Sequence, residues 1–279
     1  MKTATPNILL RAAKAARHTK VTGSVKVDRP GEVALIGHVI MDCIVLDEQG
    51  LVGRPWLSLM IDACSEMALG YNLSLASPSS TSVGRCIVHT ILPKSPTLLR
   101  LGLSEKSWPC WGMVNVVHTR LDSRSEDLDT AANEYGFEIT YPSSGNAPDF
   151  LTMEKVLRQI ADKVQEWGFS CGRTVSLQDV ERYVVTWILE SYVKQAGQTL
   201  GGKTPLQIHG EGYAQFGAPP ICVNPQRLEL DFLPSFRRCV QWYGVVIDGL
   251  NYDSAILDPY SRDHDKKGCR IKHLFGGIR

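Results

Sequence analysis

The side chains able to hold a divalent cation are few and scattered. Glu154 lies at the start of a helical stretch, Thr152 to Trp167, in which Val156, Ile160 and Val164 recur at helical spacing. A carboxylate in a first helical turn is favoured by the helix dipole whatever else it does. Asp122 stands on a loop just past the β-branched run Val114 to Thr119, where it can swing toward a ligand or close a turn. Asp42 falls in the Val- and Ile-rich stretch Glu32 to Leu46, five positions after Gly37. An odd offset on a strand turns a side chain to the opposite face. Asp47 and Asp62 read as structural or solvated. His38 reads as a hydrogen-bonded sheet histidine, and His118 as a strand-end histidine without the second histidine or carboxylates that zinc would require.

Phosphate chemistry needs cations, and these are unevenly spread. Formal net charge is only +1, so bulk charge does not advertise nucleic acid. Residues 1–27 nevertheless carry Lys2, Arg11, Lys14, Arg17, Lys20 and Lys26 with no acid among them. Such a basic arm can neutralise phosphates. Arg11, Lys14, Arg17 and Lys20 are the leading DNA-binding candidates. Lys94, with Arg100 and Lys106 after it, is a further one, as is the run Arg262 to Arg270; for both, dilute surface charge is the plain alternative. The eight cysteines form no CxxC pair, and several sit inside apolar runs. That spacing argues against a zinc knuckle and a secreted disulfide framework, and points to reduced thiols in a cytoplasmic protein. No signal peptide or bilayer-spanning run is present, so no membrane association is expected. Trp56, Trp108, Trp167, Trp187 and Trp242 read as core anchors rather than base-stacking platforms.

The elements that must position these groups can be read from periodicity and punctuation. Residues 5–18 suit a short helix. Glu32 to Leu46, Trp56 to Asp62 and Ala68 to Ala76 suit three strands. Ser82 to Leu92 has helical spacing, and Val114 to Thr119 is a buried strand by its β-branched content. Ser125 to Tyr135 is an amphipathic helix closed by Gly136. Phe137 to Tyr141 is another strand, Pro142 to Asp149 a loop, and Ser176 to Lys194 a long helix with a serine cap. Beyond Gly201-Gly202-Lys203-Thr204-Pro205 the pattern changes to short strands, Arg227 to Phe232, Arg238 to Ile247 and Leu250 to Leu257. The expectation is an α/β chain with three parts. Residues 1–29 form a basic arm, 30–202 a mixed sheet flanked by helices, and 203–279 a partial small β-barrel that ends too soon to close comfortably.

Several segments carry a family resemblance. They are Arg54-Pro55-Trp56-Leu57, Ile61-Asp62, Met67 to Ser74, Trp108-Pro109, Tyr135-Gly136, Phe232-Leu233-Pro234 and Arg238 to Tyr252. In order and spacing, from about Val21 to about Lys272, the chain resembles the Mu-type DDE transposases, the TniA and TnsB branch of the retroviral-integrase superfamily. The resemblance implies an RNase H-like core in which two aspartates and a glutamate hold Mg²⁺ or Mn²⁺ for phosphoryl transfer to DNA. It implies three acidic places: Gly37 (in Ile36-Gly37-His38-Val39), Arg120 or His118 depending on the side counted from, and Glu154. Only the third keeps its acid. Asp122 is then a possible surrogate and Asp42 a poor one. DNA, a full-length transposase and self-association on DNA are the implied partners. The helix-turn-helix modules that relatives use to recognise transposon ends are expected to be missing. Catalytic impairment follows as the leading expectation. The competing one is an active nuclease or strand transferase built on Asp122, Glu154 and a third ligand.

Overall fold

A computed structural model describes residues 20–22, 25–46, 50, 52–122, 124–142, 150–171, 175–233, 235–238, 240–247, 250–255 and 269–272. The chain begins with β1 (Lys20–Thr22), β2 (Val25–Val27), β3 (Val33–Ile40), β4 (Val45–Leu46), β5 (Val52–Gly53), β6 (Trp56–Asp62) and β7 (Ala68–Ser74). Helices α1 (Ser80–Ile91) and α2 (Ser95–Arg100) follow, then β8 (Val116–Thr119), α3 (Glu126–Tyr135), β9 (Glu138–Thr140) and α4 (Leu151–Cys171). After β10 (Val175–Ser176) come α5 (Leu177–Glu190), α6 (Pro205–Phe216) and α7 (Pro225–Asp231). Four short strands complete the description: β11 (Ser235–Arg238), β12 (Val245–Ile247), β13 (Leu250–Tyr252) and β14 (Cys269–Lys272).

Five strands form one mixed sheet in the order β7-β6-β3-β8-β9. β3, β6 and β7 are antiparallel neighbours, while β8 lies parallel to β3 and β9 parallel to β8. A meander on one side and parallel strands on the other, with helices on both faces, is the RNase H-like arrangement. Alternation along the strands assigns the faces. Gly70 and Met60 are paired, and both meet Thr90 of α1. Gly37, Leu59 and Tyr71 share the other face, where Tyr71 donates to Glu181 of α5 at 2.7 Å and α4 lies across β3. Gly84 of α1 packs near Leu128 of α3, which puts these two helices on the same side.

The helices begin and end where their flanks dictate. Ser125 accepts from the Leu128 N–H, and Gly136 takes the left-handed φ of 79° that closes α3. Ser176 and Asp179 make a reciprocal capping box on α5, and Thr204 and Gln207 do the same on α6. Helix α4 buries Met153, Val156, Leu157, Ile160 and Val164, a stripe at i, i+3, i+4, i+7 and i+11.

Two expectations change. The strand expected over 32–46 stops at Ile40; the Met41 N–H then turns to the Pro55 carbonyl, and pairing resumes only at β4. Arg227 to Asp231 is helical rather than extended, with Phe232 as the C-cap. Asn224 caps Arg227, and Pro225 occupies the first turn, where its missing N–H costs nothing. Packed residues are found on both sides of the expected boundary at residue 203. Ile208 and Leu228 are buried, and Phe232 stacks on Phe137 at 5.9 Å. Beyond α7, β11 pairs with β14 and β12 with β13 as two separate two-stranded pieces, with no closed barrel among the described residues. The helix expected over 5–18 and residues 143–149 of the expected loop lie outside the described residues.

Candidate functional site

The three places that the resemblance marks lie at the end of the parallel half of the sheet. The β3–β8 register ends with Ile36 opposite Thr119, and Gly37 and Arg120 each follow that last pair. His118 stays inside the ladder opposite Leu35, buried, with its Nδ1 hydrogen-bonded to the Thr140 hydroxyl. Burial there lowers its pKa. Above this corner lies the start of α4. Met153 and Leu157 press onto Gly37 so closely that a Cβ on that glycine would stand 2.7 Å from both side chains. Real Cβ contacts are not that short, so a side chain at position 37 would have to displace them.

Glu154, next to Met153, reaches Arg120. The guanidinium Nη1 lies 2.7 Å from Oε1, and both side chains are about half exposed. The same guanidinium sits 4.6 Å over the Phe150 ring. The corner therefore presents one carboxylate already paired to a cation, one glycine and two apolar side chains. Neither Phe150, which holds Arg120 from below, nor Met153 and Leu157, which fill the place over Gly37, stands out in the sequence. Their apolar type reads as ordinary helix core, and only the distance between α4 and β3 shows what they cover.

The surrogate acids are placed less favourably. Asp122 is exposed on the bend after Arg120. Asp42 lies beyond the end of β3, not on it, and is bound to Arg54 at 3.0 Å and Gln165 at 2.7 Å. Gln165 is eleven residues past Glu154 on α4, roughly 16 Å away at 1.5 Å per residue. Asp42 thus belongs to the far end of the helix.

His38 fits its reading. Nδ1 lies 2.8 Å from the Ser58 hydroxyl, and burial pushes its pKa down to about 4. Asp62 is fully buried. It accepts from the Gly31 N–H at 2.7 Å, the Ser65 N–H at 2.6 Å and the Ser65 hydroxyl at 2.7 Å. Ser65 in turn contacts His209 of α6 at 3.3 Å, and His209 contacts the Cys110 sulfur at 3.5 Å. This chain of polar groups ties α6 to the sheet. Asp47 lies outside the described residues.

Among the phosphate-binding candidates, Lys94 is corrected. It is 3% exposed, and its ammonium donates to the carbonyls of Thr90 at 3.0 Å and Leu92 at 2.7 Å. It closes the C-terminal end of α1, where carbonyls lack helical partners, and cannot reach a DNA backbone. Arg11, Lys14 and Arg17 lie outside the described residues, and Lys20 begins β1, opposite Val27. Trp242 is the other correction: it is 87% exposed and anchors no core.

A family model described as the TnsB C-terminal domain matches residues 35–168, from β3 into α4. The transposase for transposon Tn552 of Staphylococcus aureus is 28% identical over 241 residues, covering 83% of this chain and 48% of that protein. The Tn7 transposition protein TnsB of Escherichia coli is 20% identical over 273 residues, covering 87% of this chain and 39% of that protein. The chain thus spans about half, or less, of the length of these relatives. Among solved structures, the catalytic core domain of BIV integrase aligns with a TM-score of 0.43 and 13% identity, over 67% of this chain and 99% of that one. A chain of a simian T-cell lymphotropic virus intasome in complex with the PP2A regulatory subunit B56 gamma aligns with a TM-score of 0.47 and 13% identity, over 86% and 71%. No helix among the described residues is long and apolar enough to cross a membrane. Over the matched core, residues 35–168, the chain is similar to the TnsB C-terminal domain, and over most of its length it is similar to the Tn552 and Tn7 transposition proteins.

Proposed function

We propose that this chain is a transposition protein whose core no longer cuts or joins DNA and whose remaining role is to bind DNA or a full-length transposase partner. The observation that carries the reading is the Arg120–Glu154 ion pair beside Gly37. In-line phosphoryl transfer of this family's kind needs two divalent ions a few ångströms apart, each held by carboxylate oxygens. The residues at the three places do not fit that pair of ions. Position 37 offers no oxygen, and a side chain there would have to displace Met153 and Leu157. Position 120 offers a fixed positive charge, which opposes a cation and competes for the one acid left. Among the described residues, no group of three or more His, Cys, Asp or Glu side chains could hold a metal ion.

The test is calorimetric titration with Mn²⁺ beside a plasmid-nicking assay, run on the parent protein and on Glu154→Gln. The expected result is no nicking by either protein and no core-dependent heat. Nicking by the parent that disappears in Glu154→Gln would overturn the proposal in favour of an active enzyme using Glu154 with Asp122.

A further inference from the structure

The turn that joins β6 to β7 holds Glu66 at φ of 60°, and among the described residues it is the one non-glycine residue in the left-handed region. A residue with a Cβ enters that region at a steric cost, so its surroundings must hold it there. Tyr192 donates its hydroxyl to the Glu66 carbonyl at 2.6 Å, and Thr199 donates to Oε1 at 2.7 Å. Glu66, fixed in this way, is only 7% exposed and lines a cavity of about 340 Å³ between the start of α4 and the segment that follows α5. A carboxylate can accept several hydrogen bonds at once, so the Thr199 contact does not exhaust it.

The cavity is separate from the corner at Gly37. Met153 and Leu157 turn toward Gly37 and Glu154 toward Arg120, whereas Lys155, Val156 and Gln159 line the cavity. Its lining divides by chemistry. Val156, Tyr192 and Pro205 are buried and form an apolar wall. The side-chain amides of Gln159 and Gln198 and the ammonium of Lys155 have no partner among the described residues. Lys155 is exposed and Glu66 buried, so the cation stands toward the mouth and the acid toward the floor.

A matching ligand carries hydrogen-bond donors at its inner end, a flat body with apolar faces, and an anion at its outer end. The cavity has the volume of a small-molecule site. Guanine presents two adjacent N–H donors, which a carboxylate accepts as a charge-assisted pair. Its ring faces suit the apolar wall, ribose hydroxyls suit the two amides, and a 5′-phosphate suits the lysine. We propose that the cavity binds a free guanine nucleoside monophosphate, with the base edge on Glu66 and the phosphate at Lys155. The proposal does not depend on the DNA-associated reading, so either can fail alone.

The experiment is calorimetric titration of the full chain with GMP, AMP and guanosine, on the parent, Glu66→Gln and Lys155→Ala. The parent should bind GMP at least about 10-fold more tightly than AMP, which lacks the paired donors. Glu66→Gln should lose about 10- to 150-fold affinity for GMP. Lys155→Ala should weaken GMP several-fold and leave guanosine unchanged, because only the nucleotide carries the phosphate. Lys155 is exposed, so this variant keeps the test decisive even where circular dichroism shows that Glu66→Gln disturbs its turn. A parent that takes up no GMP overturns the proposal. So does equal affinity for GMP and AMP, or GMP binding that neither substitution alters.

Discussion

At 2.7 Å the Arg120–Glu154 contact is a charge-assisted hydrogen bond between half-exposed groups, so it adds at most about 1 kcal/mol to stability. Its weight is chemical, because Glu154 is engaged by a cation that cannot be titrated away. Lys94 is the opposite case, a cation whose charge is expensive. Burial lowers its pKa from 10.5 to about 7. Between those values the unfolded chain binds a proton that the folded chain does not, so Lys94 makes stability rise with pH from about 7 to about 10.5. Below pH 7 the folded protein carries the full cost of a buried charge. Cys110 works in the other direction above its ordinary range, because burial pushes its thiol up to about 12. The informative quantity is therefore the difference between parent and Lys94→Met. Urea unfolding at pH 7 and pH 9.5 should show the parent gaining on the variant by a few kcal/mol as pH rises. A pH-independent difference would show that Lys94 keeps an ordinary pKa.

Among the elements, α7 carries the plainest structural expectation. Leu228 is fully buried, Phe232 lies between Tyr135 and Phe137, and a Cβ on Gly84 of α1 would meet the Phe232 carbonyl at 2.5 Å. Phe232→Ala should cost about 3–5 kcal/mol in chemical denaturation, with a single transition shared with the sheet. A separate early transition would mark a boundary near residue 203. Strands β6, β7 and β8 and helices α1, α3, α4 and α5 were legible because their periodicity, serine caps and the C-terminal Gly136 are local signals. Helix α7 was not, because Arg227 to Phe232 alternates in a way that also suits a strand. Its helical state depends on the Asn224 cap and on a hydrophobic face supplied by α1 and α3. The site divided along the same line. Glycine at 37 and a basic residue at 120 could be read from type and spacing. The pairing of His118 inside the ladder, the burial of Lys94 and the exposure of Trp242 all depend on contacts distant in sequence.

For the whole molecule, near-neutral net charge means that any DNA affinity comes from local patches rather than a general field. Binding to a mixed-sequence duplex should therefore be weak and fall steeply between about 50 and 200 mM salt, with a log–log slope that counts the few phosphates engaged. Anisotropy titrations across that range measure it, and a flat profile would turn attention from DNA to a protein partner. The closeness of α4 to β3 makes the two elements interdependent at Gly37. With Met153 and Leu157 seated there, a carboxylate introduced at position 37 would enter an apolar slot near the Arg120–Glu154 pair, and those two side chains would have to move to admit it.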